Sequence, residues 1–179
     1  MGHLCTATVA ALFAMAAIMP TSAQETPPSS LPGGASALQE TFADWQVVCA
    51  AVETGRSCAM SQVQAQQNGQ RVLAIELQPG KDGGATGVLI LPFGLALEAG
   101  ATLTIDSNPP LASLRFATCL PAGCLLPLSF SAADIAALEA ATTMTANASS
   151  MDAGQPVSLA VSLKGFTAAY ARLGQLANG

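Results

Sequence analysis

The sequence predicts a mainly β fold: an antiparallel, β-sandwich-like single domain with one short internal helix and a C-terminal helix. Three features point there. Between residues 45 and 130, short apolar runs are punctuated by turn residues, the rhythm of an all-β domain. Leu73, Ile75 and Leu77 alternate with Ala74 and Glu76, the period of a strand with one buried face. Near the C-terminus, Phe166, Tyr170 and Leu173 fall at i, i+4 and i+7, which places them on one helical face.

Taken in chain order, Leu4 to Met19 is almost wholly apolar, and Pro20-Thr21-Ser22-Ala23 follows with small residues at Thr21 and Ala23. This is the pattern of a secretory signal peptide, residues 1–23, cleaved after Ala23. The run is shorter than the ~20 residues that cross a bilayer, so no membrane span is expected after cleavage. Residues 24–41 contain Pro27, Pro28, Pro32, Gly33, Gly34 and several serines. Such a composition cannot offset the entropy of ordering and predicts a flexible leader. The folded domain is then expected over 42–177. Asn68-Gly69 predicts a type I′ turn in a hairpin joining about 58–67 to 70–78. Asp82-Gly83-Gly84 turns the chain before Val88-Leu89-Ile90-Leu91, Leu103 and Ile105 mark a strand ending at Asp106, and Leu114 and Phe116 mark another. Ser131, three residues ahead of Asp134, predicts an N-capped helix of about ten residues. Thr143 to Ser149 and Pro156 to Leu163 predict strands around the Asp152-Ala153-Gly154 turn. The Phe166, Tyr170 and Leu173 stripe is expected to pack on the sheet.

Charge and residue inventory exclude several functions. The 179 residues carry 6 Lys+Arg against 11 Asp+Glu, a net charge of −5. Six scattered cations argue against nucleic acid and anionic membrane surfaces as partners. Loss of residues 1–23 removes the only histidine, His3, and one of five cysteines, Cys5. Without imidazole, Ser-His-Asp and Cys-His catalysis and His-ligated metal sites are excluded from the processed chain. The stretch Gly94 to Gly100 lacks the Lys-Ser/Thr pair of a phosphate loop. No catalytic, cofactor-binding or metal-ligating residue is assigned, and no cofactor is expected. The carboxylates Asp44, Glu53, Glu76, Asp82, Glu98, Asp106, Asp134, Glu139 and Asp152 leave one alternative, a hydrolase of cell-wall or surface glycans built on a facing carboxyl pair.

Four cysteines in an exported chain form, most simply, a disulfide framework with three possible connectivities. Cys49 and Cys58 enclose eight residues, and Cys119 and Cys124 enclose a Pro-then-Gly turn, Leu120-Pro121-Ala122-Gly123. Both local pairings are sterically easy, so Cys49–Cys58 and Cys119–Cys124 are expected. C-x₈-C does not fit a zinc site, and no C-x-x-C redox pair is present.

Several blocks together resemble one family. Trp45-Gln46-Val47-Val48-Cys49, Cys58-Ala59-Met60 with Gln62, and Leu91-Pro92-Phe93-Gly94-Leu95 continuing through Leu97, Gly100, Leu103 and Ile105-Asp106 are similar to the invasion-associated locus B family. So are Cys119-Leu120-Pro121-Ala122-Gly123-Cys124 and Ser162-Leu163-Lys164-Gly165-Phe166 with Ala169 and Leu173. The likeness covers about 42 to 176. It implies a small exported protein of Gram-negative bacteria, mostly β, held by two disulfides and residing in the periplasm or reaching the surface. It implies no enzyme activity, and it makes the four cysteines and two glycine turns scaffold and Trp45 a core aromatic near the first bridge. The functional expectation is a non-enzymatic envelope protein, periplasmic, at the cell surface or secreted, that binds an unidentified envelope or surface protein and contributes to host-cell interaction.

Overall fold

The structure is a computed structural model that describes residues 31–53 and 55–178. The expected signal peptide and the first part of the leader lie outside the described residues. In chain order the elements are β1 (Ala37–Phe42), β2 (Trp45–Val52), β3 (Gly55–Ala65), β4 (Arg71–Pro79), β5 (Ala85–Leu91), β6 (Thr102–Ile105), β7 (Thr118–Leu120), β8 (Gly123–Phe130), α1 (Ala132–Ala140), β9 (Thr143–Ser149), β10 (Pro156–Ser162) and α2 (Phe166–Asn178). The strands form a seven-stranded sheet, β1-β2-β3-β4-β5-β8-β7, and a three-stranded sheet, β10-β9-β6. Every pairing is antiparallel, as the mainly β reading expects.

Alternation along the strands builds the core. Trp45, Val47 and Cys49 of β2, Cys58 and Met60 of β3, and Leu73, Ile75 and Leu77 of β4 all face inward and are buried. Phe166, Ala169, Leu173 and Leu176 of α2 join the same core, as do Leu103 and Ile105 of β6 and Met144 and Ala146 of β9. The Trp45 ring meets Phe166 edge-on at 5.2 Å, a favoured aromatic geometry, and its Nε1 donates to the Ser162 carbonyl at 2.9 Å. The helical stripe therefore packs on the sheet. Its Tyr170 turns its hydroxyl to the Gly84 carbonyl, 2.8 Å away.

Local chemistry explains where elements begin and turn. Ser131 Oγ accepts the Asp134 N–H at 3.2 Å while Asp134 Oδ2 accepts the Ser131 N–H at 2.8 Å, a reciprocal cap that starts α1. Asp106 closes β6 in a left-handed conformation, φ 45°. Its carboxylate accepts the N–H groups of Thr142 and Thr143, which hold the carboxyl below its usual range. Gly165 (φ 89°) admits α2 beside the β1–β2 turn, where a Cβ would overlap the Phe42 carbonyl oxygen.

Three expectations need correction. Residues 24–41 are not a flexible leader throughout, because Leu31 is buried and Ala37–Phe42 is β1. Glu40 of that strand receives Nε of Arg172 at 2.6 Å and its second terminal nitrogen at 2.9 Å, which ties β1 to α2 and lowers the Glu40 pKa. The hairpin at Asn68-Gly69 exists, but its turn is not type I′. Gly69 alone takes a positive φ, 82°, and its N–H donates to Gln66 O while Gln66 N–H donates to Gln70 O. That is a three-residue loop with a glycine bulge, and Asn68 Oδ1 accepts the Gln70 N–H at 2.9 Å. Finally, Leu114 makes only an isolated bridge with Ala101, and Phe116 lies in no strand. Pro109 and Pro110, which lack N–H groups, precede that irregular segment.

Candidate functional site

The surface feature with the clearest chemistry is an apolar cleft of ≈ 500 Å³. Its walls come from the segment after β5, Phe93 to Glu98, from Met151 beyond β9, and from the Cys119–Cys124 bridge. Backbone bonding fixes this arrangement. Met151 N–H donates to the Gly94 carbonyl at 2.8 Å and Ala96 N–H to the Ser149 carbonyl at 2.9 Å, so the segment after β5 is strapped to the end of β9. Leu95 is buried beneath the strap, while Phe93 (61% exposed), Leu97 (41%) and Met151 (73%) project to solvent. Gly94 supplies the turn with φ 86°.

The opposite wall is the β7–β8 hairpin. Cys119 and Cys124 face one another across the pair and are joined, with 3.9 Å between their Cα atoms. Gly123 lets β8 run close beside β5, since a Cβ there would overlap the Leu91 carbonyl oxygen. Cys49 and Cys58, the other two cysteines singled out from sequence, are likewise opposite residues, of β2 and β3, and are joined in the core. The structure thus holds both bridges, and it brings only the second to the cleft.

The cleft's size suits a small ligand or an anchoring side chain, and its walls are apolar with a single ionisable group among the described residues, Glu98. A second, polar cleft lies between β3 and β10, with Asp44 as its only carboxylate among the described residues. Its polar groups are bound to one another: Ser162 Oγ donates to Asp44 Oδ2 at 2.6 Å, and Gln62 Nε2 donates to Ser162 O at 2.9 Å. Glycosidases set two carboxyl groups about 5–10 Å apart around one bond, and neither cleft offers a pair. Asp106 and Asp134 are engaged in capping backbone N–H groups. Among the described residues no cluster of three or more His, Cys, Asp or Glu could hold a metal ion. No helix among them is long and apolar enough to cross a membrane.

Sequence reasoning placed the cysteines but missed the cleft, because Phe93, Leu97 and Met151 are distant in the chain and no spacing rule joins them. A local signal did exist. Phe93 sits between Pro92 and Gly94, and a large aromatic at a turn is exposed unless something covers it.

A two-sheet β domain, braced by two disulfides and carrying an apolar surface cleft, is the class that fold and site define. The chain belongs to the invasion associated locus B (IalB) family, whose model matches residues 45–174. It is 47% identical over 146 residues to an invasion protein B homolog of Brucella abortus, covering 81% of this chain and 84% of that protein. It is 29% identical over 150 residues to invasion protein B of Bartonella bacilliformis, covering 83% and 81%. Among solved structures, the crystal structure of invasion associated protein b from Bartonella henselae is similar, with a TM-score of 0.74 and 30% identity over 78% of this chain and 97% of that one.

Proposed function

We propose that this chain is exported through its signal peptide to the bacterial envelope and acts there without catalysing a reaction, by binding another envelope or surface component in the apolar cleft. One observation carries the reading: Phe93, Leu97 and Met151 stand exposed around a cleft whose backbone is strapped in place. Grouped apolar side chains of this kind on a folded surface mark an interaction site. The names of the relatives support a further step, that the component bound serves contact with a host cell.

In-cell photocrosslinking tests the binding. A photoreactive residue replacing Leu97 is expected to capture one discrete envelope protein, and the same residue replacing Val52, exposed but outside the cleft, is expected to capture none. Phe93→Asp should cut the Leu97 capture by about tenfold. Equal capture from both positions overturns the reading. So does turnover of ester, peptide or glycoside by the purified chain that is lost in Glu98→Gln. Protease added to intact cells tests the host-facing step, since a chain that stays fully protected cannot touch a host.

A further inference from the structure

Edge strands expose rows of unpaired N–H and C=O groups, and folded proteins blunt them. Three of the four edges here are blunted. Beside β6 the chain returns at Leu111 and Leu114, whose N–H groups donate to Leu103 and Ala101, each at 2.8 Å. Beside β10 the Gln62 amide pairs with Ser162 as a peptide group would, donating to its carbonyl at 2.9 Å and accepting its N–H at 3.2 Å. Gln64 Nε2 donates to the Ala160 carbonyl at 2.8 Å on the same edge. The third edge, β7, is only three residues long.

β1 has none of these devices. It is six residues long, has no Pro, no Lys and no register shift, and its one charge, Glu40, is matched by Arg172. The phase of its ladder shows which groups are free. Ala51 N–H donates to Ser36 O at 2.8 Å, and the register continues through Leu38↔Cys49, Glu40↔Val47 and Phe42↔Trp45. Alternate residues of a strand direct their backbone groups to opposite sides, so Ala37, Gln39 and Thr41 point theirs away from β2. Those N–H and C=O groups have no partner among the described residues, and the three side chains are exposed.

We propose that β1 is the contact between two copies of this chain, each pairing antiparallel with the other about a two-fold axis at Gln39. In this register Gln39 faces Gln39, Ala37 faces Thr41, and Leu38 faces Glu40. Every outward N–H and C=O of both strands then finds a partner, which is the self-complementarity that an isologous contact requires. The two Glu40 carboxylates are diagonal neighbours across the axis, not directly opposite, and each faces a leucine and keeps its own Arg172. The two seven-stranded sheets become one continuous sheet. The cleft stays open, since its Cys119–Cys124 wall belongs to β7 and β8, at the other edge.

Light scattering and sedimentation equilibrium of the chain, purified as the cell processes it, test this at concentrations up to ~1 mM. A concentration-dependent dimer is expected. Gln39→Lys sets two ammonium groups across the axis and should raise the dissociation constant at least tenfold. The register is tested by two double variants. Ala37→Lys with Thr41→Glu places opposite charges at both facing pairs and should retain the dimer, whereas Ala37→Lys with Thr41→Lys should abolish it. Circular dichroism checks that each variant folds, as exposed side chains allow. A monomer at every concentration overturns the proposal, as does a dimer indifferent to Gln39→Lys or identical behaviour of the two double variants.

Discussion

The bridges Cys49–Cys58 and Cys119–Cys124 each staple residues that face one another across an antiparallel pair, yet their surroundings differ throughout. The first lies in the core with both residues buried, under the same sheet face as Trp45 and Met60. The second has Cys119 exposed and Cys124 buried, so it separates core from cleft. The same covalent bond therefore closes a packed interior in one place and builds a surface wall in another. What surrounds a staple, more than the staple itself, sets what its loss does.

The widest separation between the two regions is expected from their glycines. Gly165→Ala forces a Cβ into the Phe42 carbonyl beside the Trp45 core at a positive φ, and should cost about 3 kcal/mol or more, read from denaturant midpoints. Gly94→Ala meets open space at the cleft and should cost about 1 kcal/mol, from its backbone conformation alone. Equal costs would break the contrast. The bridges come next. Replacing Cys49 and Cys58 together by Ala should cost about 3–5 kcal/mol, since core contacts are lost along with the constraint on the unfolded chain. Replacing Cys119 and Cys124 should cost about 2 kcal/mol, with the larger consequence being loss of capture at Leu97.

The smallest effect sharpens the picture at low pH. The folded Asp106 carboxyl is held below its unfolded value by the Thr142 and Thr143 N–H groups. Its contribution is fully present above the ordinary carboxylate range and is lost as pH falls through that range towards the folded value. Asp106→Asn tolerates the left-handed backbone and should flatten the acid limb of melting temperature against pH, measured from about pH 6 to 2. Glu40, held down by its hydrogen bond to Arg172, contributes with the same sign.

Much of the fold was legible because its signals are local. Alternation marks β4 and β6, and Ser131 with Asp134 marks α1. The Phe166 stripe marks α2. β1 escaped because its inward positions are Leu38, Glu40 and Phe42, and the group that makes a glutamate acceptable there lies 132 residues away. The turn at Asn68 departs from type I′ for a different reason: asparagine tolerates a positive φ but here uses its side chain to hold Gln70 instead. The cleft escaped because an exposed apolar cluster is a property of three segments meeting. The cysteine pairs were readable because each is close in sequence and spans a turn.

The strap between Gly94 and Met151 also bears on thermodynamics. With its rim fixed before any ligand arrives, the cleft surrenders little freedom on association, so a ligand's affinity is not spent on ordering the receptor. Calorimetry of a captured ligand should therefore show a negative heat-capacity change in proportion to the apolar area covered, without the excess that accompanies coupled folding.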